Sequence, residues 1–165
     1  MSHSEARSEF DSDEAIKMKH RQSKPPKILV IEDSPAEVAL LRLALDHLGE
    51  PYELELLSDG AMALRFVDEH RLGARKPDSC VIVLDLHLPK HDGIEVLKAI
   101  RVAPALFHIH VVALSNSASP REQAEIHDLG GLYREKPSGL IQCIDLCAEI
   151  LAICKESHHG MAVGR

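Results

Sequence analysis

Tryptophan is absent, and aromatic residues make up only 3% of the 165-residue chain. A stacking platform for single-stranded nucleic acid needs exposed rings along a basic groove, so that class is excluded. Cations are in deficit: 19 lysines and arginines face 26 acidic residues, for a formal net charge of −7. No broad positive surface is therefore expected for nucleic acid or for an anionic membrane. No apolar run approaches the ~20 residues of a spanning helix, and residues 1–26 lack the apolar stretch of a signal peptide. The four cysteines, Cys80, Cys143, Cys147 and Cys154, contain no CxxC pair. They read as buried, reduced thiols of an intracellular protein rather than as disulfides or zinc ligands. The closest histidine pairs, His108 with His110 and His158 with His159, have no cysteine or carboxylate at structural-zinc spacing, which argues against a metal site there.

What is present is ordinary globular material, 45% hydrophobic and 27% charged. The length suits one compact domain with tails. Residues 1–26 carry five acidic and five basic side chains and few large apolar ones, so a disordered tail is expected, with at most a short helix over Glu14–His20. The domain is expected over 27–156, and a second polar tail over 157–165.

Between the tails the pattern alternates. Lys27–Ile31, Cys80–Leu84 and His110–Leu114 are short apolar runs suited to strands buried on both faces. Tyr52–Leu57 alternates apolar with acidic, as an edge strand does, and Gly131–Glu135 makes a fifth strand. Ser34-Pro35-Ala36-Glu37 and Ser119-Pro120-Arg121-Glu122 read as capping boxes that open helices, with proline at the first helical position. The first of these helices runs to Leu48, where Gly49 ends it, and the second to Leu129. Helices are also expected over Ser58–Leu72, Gly93–Val102 and Ser138–Lys155. Five strands alternating with five helices predict a doubly wound α/β domain with a parallel sheet.

In such a sheet a site forms beyond the carboxyl ends of the strands, where the strand order switches. Glu32-Asp33 follows the first strand, Asp85 the third, Ser115 the fourth and Lys136-Pro137 the fifth. With strand order 2-1-3-4-5, Glu32, Asp33 and Asp85 converge, and Ser115 and Lys136 line the adjacent positions. Carboxylates within ~4 Å repel by about 4 kcal/mol per pair at an effective dielectric near 20. The cluster must therefore take up protons or recruit a cation. Oxygen-only ligands select a hard ion such as Mg²⁺. An aspartate beside such an ion, a lysine and a hydroxyl can form an aspartyl phosphate.

The segments LVIEDSP, VLDLHLPKHDG, VVALSNSA and YREKP resemble the four signatures of two-component response-regulator receiver domains. The resemblance spans about residues 27–155. DLHLPKHDGIEVL and PALFHIHVVALS are similar to single-domain receivers that partner phytochrome-like sensor kinases. The resemblance implies a flavodoxin-like five-stranded receiver with Asp85 as phosphoacceptor. It implies Mg²⁺ held by Glu32, Asp33, Asp85 and the backbone carbonyl of His87. Ser115 and Lys136 would contact the phosphoryl group, and Ser115 with Tyr133 would form the switch. Pro89 and Gly93 would shape the acceptor loop, and a cis bond would precede Pro137. The implied partners are a sensor histidine kinase and a downstream protein or phosphotransfer partner, with room for a homodimer. The setting is the bacterial cytoplasm, and the protein would not be a turnover enzyme.

Some positions depart from the family pattern. Glu32 stands where aspartate is commoner, and Asn116 where a smaller residue is usual. Arg134 and Glu135 replace an apolar pair, which leaves two readings: charges that block edge pairing, or a reshaped face around the fifth strand. His91 reads as a solvated loop imidazole. Two other functions fit the residues less well. An aspartate-nucleophile phosphatase would place a second aspartate two residues after Asp85, where His87 stands. A receiver that only binds partners would have lost acidic or lysine positions that are all present here.

Overall fold

The structure, a computed structural model, describes residues 24–71, 73 and 77–160, the last three by backbone alone. The readings of residues 1–23, including a helix over Glu14–His20, and of 161–165 lie outside the described residues. The elements are β1 (Lys27–Ile31), α1 (Pro35–Leu48), β2 (Glu53–Leu57), α2 (Gly60–His70), β3 (Ser79–Asp85), α3 (Gly93–Val102), β4 (His110–Ser115), α4 (Pro120–Asp128), β5 (Leu132–Glu135) and α5 (Leu140–Gly160). All strand pairs are parallel, in the order β2-β1-β3-β4-β5, as expected for a doubly wound receiver. No helix among the described residues is long and apolar enough to cross a membrane.

Side chains alternate across the pleat, and this splits the core in two. Ile28, Val30, Val81, Val83, Val112 and Leu114 face α1 and α5, packing on Leu41, Leu45, Cys147 and Ile150. Leu29, Ile31, Ile82, Leu84, Val111 and Ala113 face the other layer, on Phe66, Leu97, Ile100 and Ile126. Each such aliphatic, fully withdrawn from water, contributes about 2 kcal/mol. Arg101, at the end of α3, ties that layer together. Its guanidinium donates to the carbonyls of Leu129, Phe107, Ile109 and Gly130 at 2.6 to 3.1 Å. Burial holds its pKa below the ordinary arginine value.

Several expectations need correction. Helix α2 begins at Gly60 rather than Ser58, because the Asp59 carboxylate caps it by accepting from Met62 N–H at 2.7 Å. Helix α5 runs five residues past Lys155, to Gly160. Cys80 and Cys154 form a disulfide, contrary to the reading of four reduced thiols. The start of β3 and the far half of α5 pack side by side, with Cα atoms 5.2 Å apart, inside the span a disulfide bridges. Cys143 and Cys147 are buried free thiols. The cis bond expected before Pro137 is not found, since no described peptide bond is cis. The trans form is intrinsically favoured even ahead of proline, by about 0.5–1 kcal/mol.

Candidate functional site at the carboxyl edge of the sheet

The alternation that divides the core also decides which strand-end residues meet. Backbone pairing continues past the strand ends: Glu32 N–H donates to Leu57 O, Leu86 N–H to Leu114 O, and Lys136 N–H to Ser115 O, each at 2.9 to 3.0 Å. Glu32 therefore continues the parity of Ile28 and Val30, and Asp85 that of Val81 and Val83. Lys136 likewise continues the parity of Leu132, which packs on the α1/α5 core. All three turn to the α1/α5 side and touch. Lys136 Nζ lies 3.1 Å from Glu32 Oε2 and 3.0 Å from Asp85 Oδ2. The side chains of Asp85, Glu32 and Lys136 are 3%, 7% and 9% exposed. Asp85 Oδ1 accepts the N–H of His87 at 2.9 Å.

A fourth member was not anticipated. Glu37, in the first turn of α1, places Oε2 2.6 Å from Lys136 Nζ. Carboxylate oxygens of Glu32, Glu37 and Asp85 lie within 4.8 Å of one another, the grouping of potential metal ligands found among the described residues. The sequence assigned Glu37 to a capping box. Ser34 Oγ does accept from Glu37 N–H, at 3.4 Å. The return bond is absent, because Ser34 N–H donates to Glu32 Oε1 at 2.9 Å. The available signal was a glutamate one turn beyond the acidic pair. Whether it serves the cap or the sheet edge depends on how α1 lies against β5.

Asp33 has the opposite parity to Glu32. It is exposed and outside the grouping, so the expected three-way convergence of Glu32, Asp33 and Asp85 is only partly formed. Ser115 also has the opposite parity to Asp85 and faces the other layer. It is fully buried, and its Oγ accepts from Ser117 N–H at 3.1 Å. The His87 ring, a second contact beside the expected backbone carbonyl, lies with Nδ1 3.4 Å from Ser115 Oγ. Tyr133 is half-buried against the α2–α4 core, on the strand beside Ser115. Arg134 lies on the edge strand β5. It pairs with Glu149 of α5 through Nε at 3.0 Å and joins β5 to that helix. His91 pairs with Glu95 at 3.0 Å on the surface, and Asn116 is exposed.

The electrostatics follow from three carboxylates and one ammonium sharing a poorly hydrated pocket. Burial, then a hydrogen bond with Glu37, raises Glu32 to about 7. Burial opposes the charge on Lys136, but bonds to Glu37 and Asp85 outweigh it, and the lysine pKa is raised. Glu37 also meets a burial cost, which bonds to Glu32 and Lys136 overcome, so its pKa is lowered.

The loop after Asp85 is held from two sides. Pro89 O accepts from Gly60 N–H at 3.3 Å, and Lys90, at φ +70°, pairs with Asp59 at 2.7 Å. Gly93 opens α3 against the strand end. A Cβ there would sit 2.5 Å from Asp85 O and 2.6 Å from Leu86 Cα. Those are backbone atoms that cannot yield alone, so Gly93→Ala is expected to cost about 2 kcal/mol as overpacking. Urea unfolding would measure this, with Gly49→Ala as the contrast. Gly49 has open space around it, so the cost there comes from its φ of +68° instead. Equal stability of Gly93→Ala and the wild type would show that α3 slides freely.

The signature of the response regulator receiver domain matches residues 28–134, more than half of the chain, and stops just short of Lys136. Response regulator Rcp1 of Synechocystis is 41% identical over 97 residues, which are 58% of this chain and 66% of that protein's length. The crystal structure of the Mn²⁺-bound form of Rcp1 superposes with a TM-score of 0.66 at 33% identity, covering 76% of this chain and 91% of that one. The phosphorylated cyanobacterial phytochrome response regulator RcpA gives 0.67 at 33% identity, covering 77% and 91%. Matched signature, parallel sheet in the order 2-1-3-4-5 and acidic pocket at its carboxyl edge agree: this chain belongs to the response regulator receiver domain family of two-component signalling.

Proposed function

We propose that this receiver, over residues 27–156, accepts a phosphoryl group on Asp85 from a sensor histidine kinase and signals by a change of shape. The observation that carries the assignment is the double hold on a buried carboxylate: His87 N–H on Oδ1 and Lys136 on Oδ2. These bonds orient Asp85 at the mouth of a pocket that already contains a cation. In the transfer, an Asp85 oxygen forms a bond to phosphorus. The P–N bond to the donor histidine breaks, and the histidine nitrogen leaves with the electron pair. With acetyl phosphate as donor, a P–O bond breaks instead and acetate leaves. Lys136 offers a point charge to the oxygens that gather negative charge, and Ser115 offers a hydroxyl.

The donor set fits a divalent ion. Three carboxylates face one ammonium, all potential ligands are oxygen, and that combination suits a hard cation. Of these carboxylates Glu32 and Asp85 are the proposed ligands of Mg²⁺, joined by Asp33 from the exposed side of the strand end and by the backbone carbonyl of His87, while Glu37 stays with Lys136. The bound ion supplies neutralisation of phosphoryl oxygens during transfer. The metal-bound form of Rcp1 supports this reading.

Once Asp85 is modified, close to two negative charges arrive at the sheet edge. Ser115 moves toward them, and the half-buried Tyr133 on the adjacent strand turns into the space released. The partner class is a phytochrome-like sensor kinase, by likeness to RcpA. The output is a downstream protein, a phosphotransfer partner or a second copy of the chain, in the bacterial cytoplasm, without turnover of a substrate.

Intact-mass measurement with acetyl phosphate tests the proposal. A phosphoryl adduct is expected with Mg²⁺ and none with EDTA, and labelling indifferent to EDTA would refute the metal-dependent reading. NMR of Tyr133 with beryllofluoride and Mg²⁺ tests the switch. An unchanged Tyr133 in protein shown to be modified would remove it.

A further inference from the structure

An ammonium group has three N–H donors, and three carboxylates crowd that of Lys136: Glu37 and Glu32 accept hydrogen bonds from it, and Asp85 pairs with it. Glu37 is nearest at 2.6 Å, followed by Asp85 at 3.0 Å and Glu32 at 3.1 Å. A phosphoryl oxygen must compete with these three carboxylates for Lys136. The three are not equivalent. Glu32 and Asp85 are 7% and 3% exposed, and either would be left as an uncompensated buried group. Glu37 is 43% exposed and can be taken back by water.

A separate observation shows that Glu37 is diverted from its local role. At the start of α4, Ser119 and Glu122 complete a capping box, with Ser119 N–H donating to Glu122 Oε2 at 2.7 Å and Glu122 N–H to Ser119 Oγ at 3.2 Å. At the start of α1 the same sequence pattern makes only half of the box. Glu32 takes the Ser34 amide instead, and the Glu37 carboxylate reaches across to β5.

We propose that Glu37 is a positioning residue that holds Lys136 in the resting protein, occupying the place a phosphoryl oxygen takes once Asp85 is modified. Charging the site exchanges one acceptor of Lys136 for another, so Glu37 sets the threshold at which the receiver accepts its signal. Its negative charge also repels the incoming group. On exchange, Glu37 is released to solvent, which couples the site to the first turn of α1. The inference rests on the reading of Asp85 as acceptor and deepens it.

The experiment uses the full chain as wild type, Glu37→Gln and Glu37→Asp. Beryllofluoride, the phosphoryl mimic, is titrated at saturating Mg²⁺ and followed by NMR. The Lys136 ammonium signal is recorded separately, without metal or mimic. Glu37→Gln is expected to bind beryllofluoride about tenfold more tightly, the worth of one charge-assisted hydrogen bond no longer broken. It should also lose the protected ammonium signal of Lys136. Glu37→Asp, shorter by one methylene, should lose the ammonium protection while its affinity lies between the other two. Unchanged or weaker beryllofluoride binding by Glu37→Gln would overturn the proposal, as would an unchanged Lys136 signal. Wild-type protein that binds no beryllofluoride would overturn the acceptor reading instead. The Lys136 signal, read without the mimic, would then still decide whether Glu37 holds the lysine.

Discussion

Asp85→Asn is expected to abolish the phosphoryl adduct. The amide oxygen of asparagine is a poor nucleophile and cannot carry a phosphoryl group as an acyl phosphate. The substitution is otherwise mild in shape, because the asparagine carbonyl can still accept the His87 N–H that now bonds Oδ1. The informative competitors are the neighbouring carboxylates of Glu32 and Glu37, within 4.8 Å of Asp85. Glu32 retains its proton up to about pH 7, which weakens it as a nucleophile, and it is occupied by the Ser34 amide. Glu37 gives its carboxylate to Lys136. Among the described residues Glu37 has no backbone amide on its carboxylate, and Glu32, which has one from Ser34, is protonated where Asp85 is held ready by the His87 amide and the Lys136 ammonium. The check is intact mass after acetyl phosphate and Mg²⁺, with peptide mapping. An adduct on the Asp85→Asn variant would move the acceptor role to one of these glutamates.

Lys136→Met is expected to lower the stability of the metal-free protein by about 3 kcal/mol, the usual cost of removing one partner from a buried ion pair. Methionine fills most of the space of the lysine stem, so the loss reads charge rather than packing. Glu32 and Asp85 would then face each other at 7% and 3% exposure with no cation between them. The sign of the pH dependence follows. Lys136 holds the Glu32 pKa down, so removing the ammonium raises it in the folded protein further above its unfolded value. The folded state then holds protons that the unfolded state gives up, and the deficit grows as pH rises. It should be smaller at pH 5 than at pH 8. Mg²⁺ should restore part of the loss, because a ligand that binds only the folded state stabilises it by about 2.7 kcal/mol at a hundredfold excess over its Kd. Urea unfolding in EDTA and in Mg²⁺, at both pH values, measures all three effects. A variant as stable as wild type in EDTA at pH 8 would show that the carboxylates reach water without the lysine.

Much of this was legible in the chain itself. KILVI, CVIVL and HVVAL are apolar on both strand faces, and that pattern is stable only with helices above and below. The parallel sheet followed, and with it a site at the carboxyl edge. Glu32, Asp85 and Ser115 were placed at that edge because each directly follows a buried run or is its last residue, and Lys136 because it follows the fifth strand. The helix starts at Ser34 and Ser119 were readable from their caps, since a cap is a local bond within four residues.

Tertiary structure decided the remainder, in every case through contacts between segments far apart in sequence. Two identical-looking boxes diverge: the one at Ser119 closes on itself, while the one at Ser34 yields its glutamate to a lysine 99 residues away. Local rules cannot foresee this, because Glu32 has already taken the Ser34 amide and a buried ammonium takes the carboxylate left over. Asp33 stays out of the cluster while Glu32 enters it, since consecutive residues on an extended backbone point to opposite faces. Cys80 meets Cys154 across 74 residues because β3 and α5 pack together, a pairing that composition and spacing argued against. Arg134, whose charge left open whether it guards the edge or reshapes the face around β5, is held by Glu149 of α5. Sequence determined the elements, their order and the identity of the groups at the sheet edge. Packing decided which of those groups touch, because a hydrogen bond is settled over a few ångströms and only the folded chain brings distant residues that close.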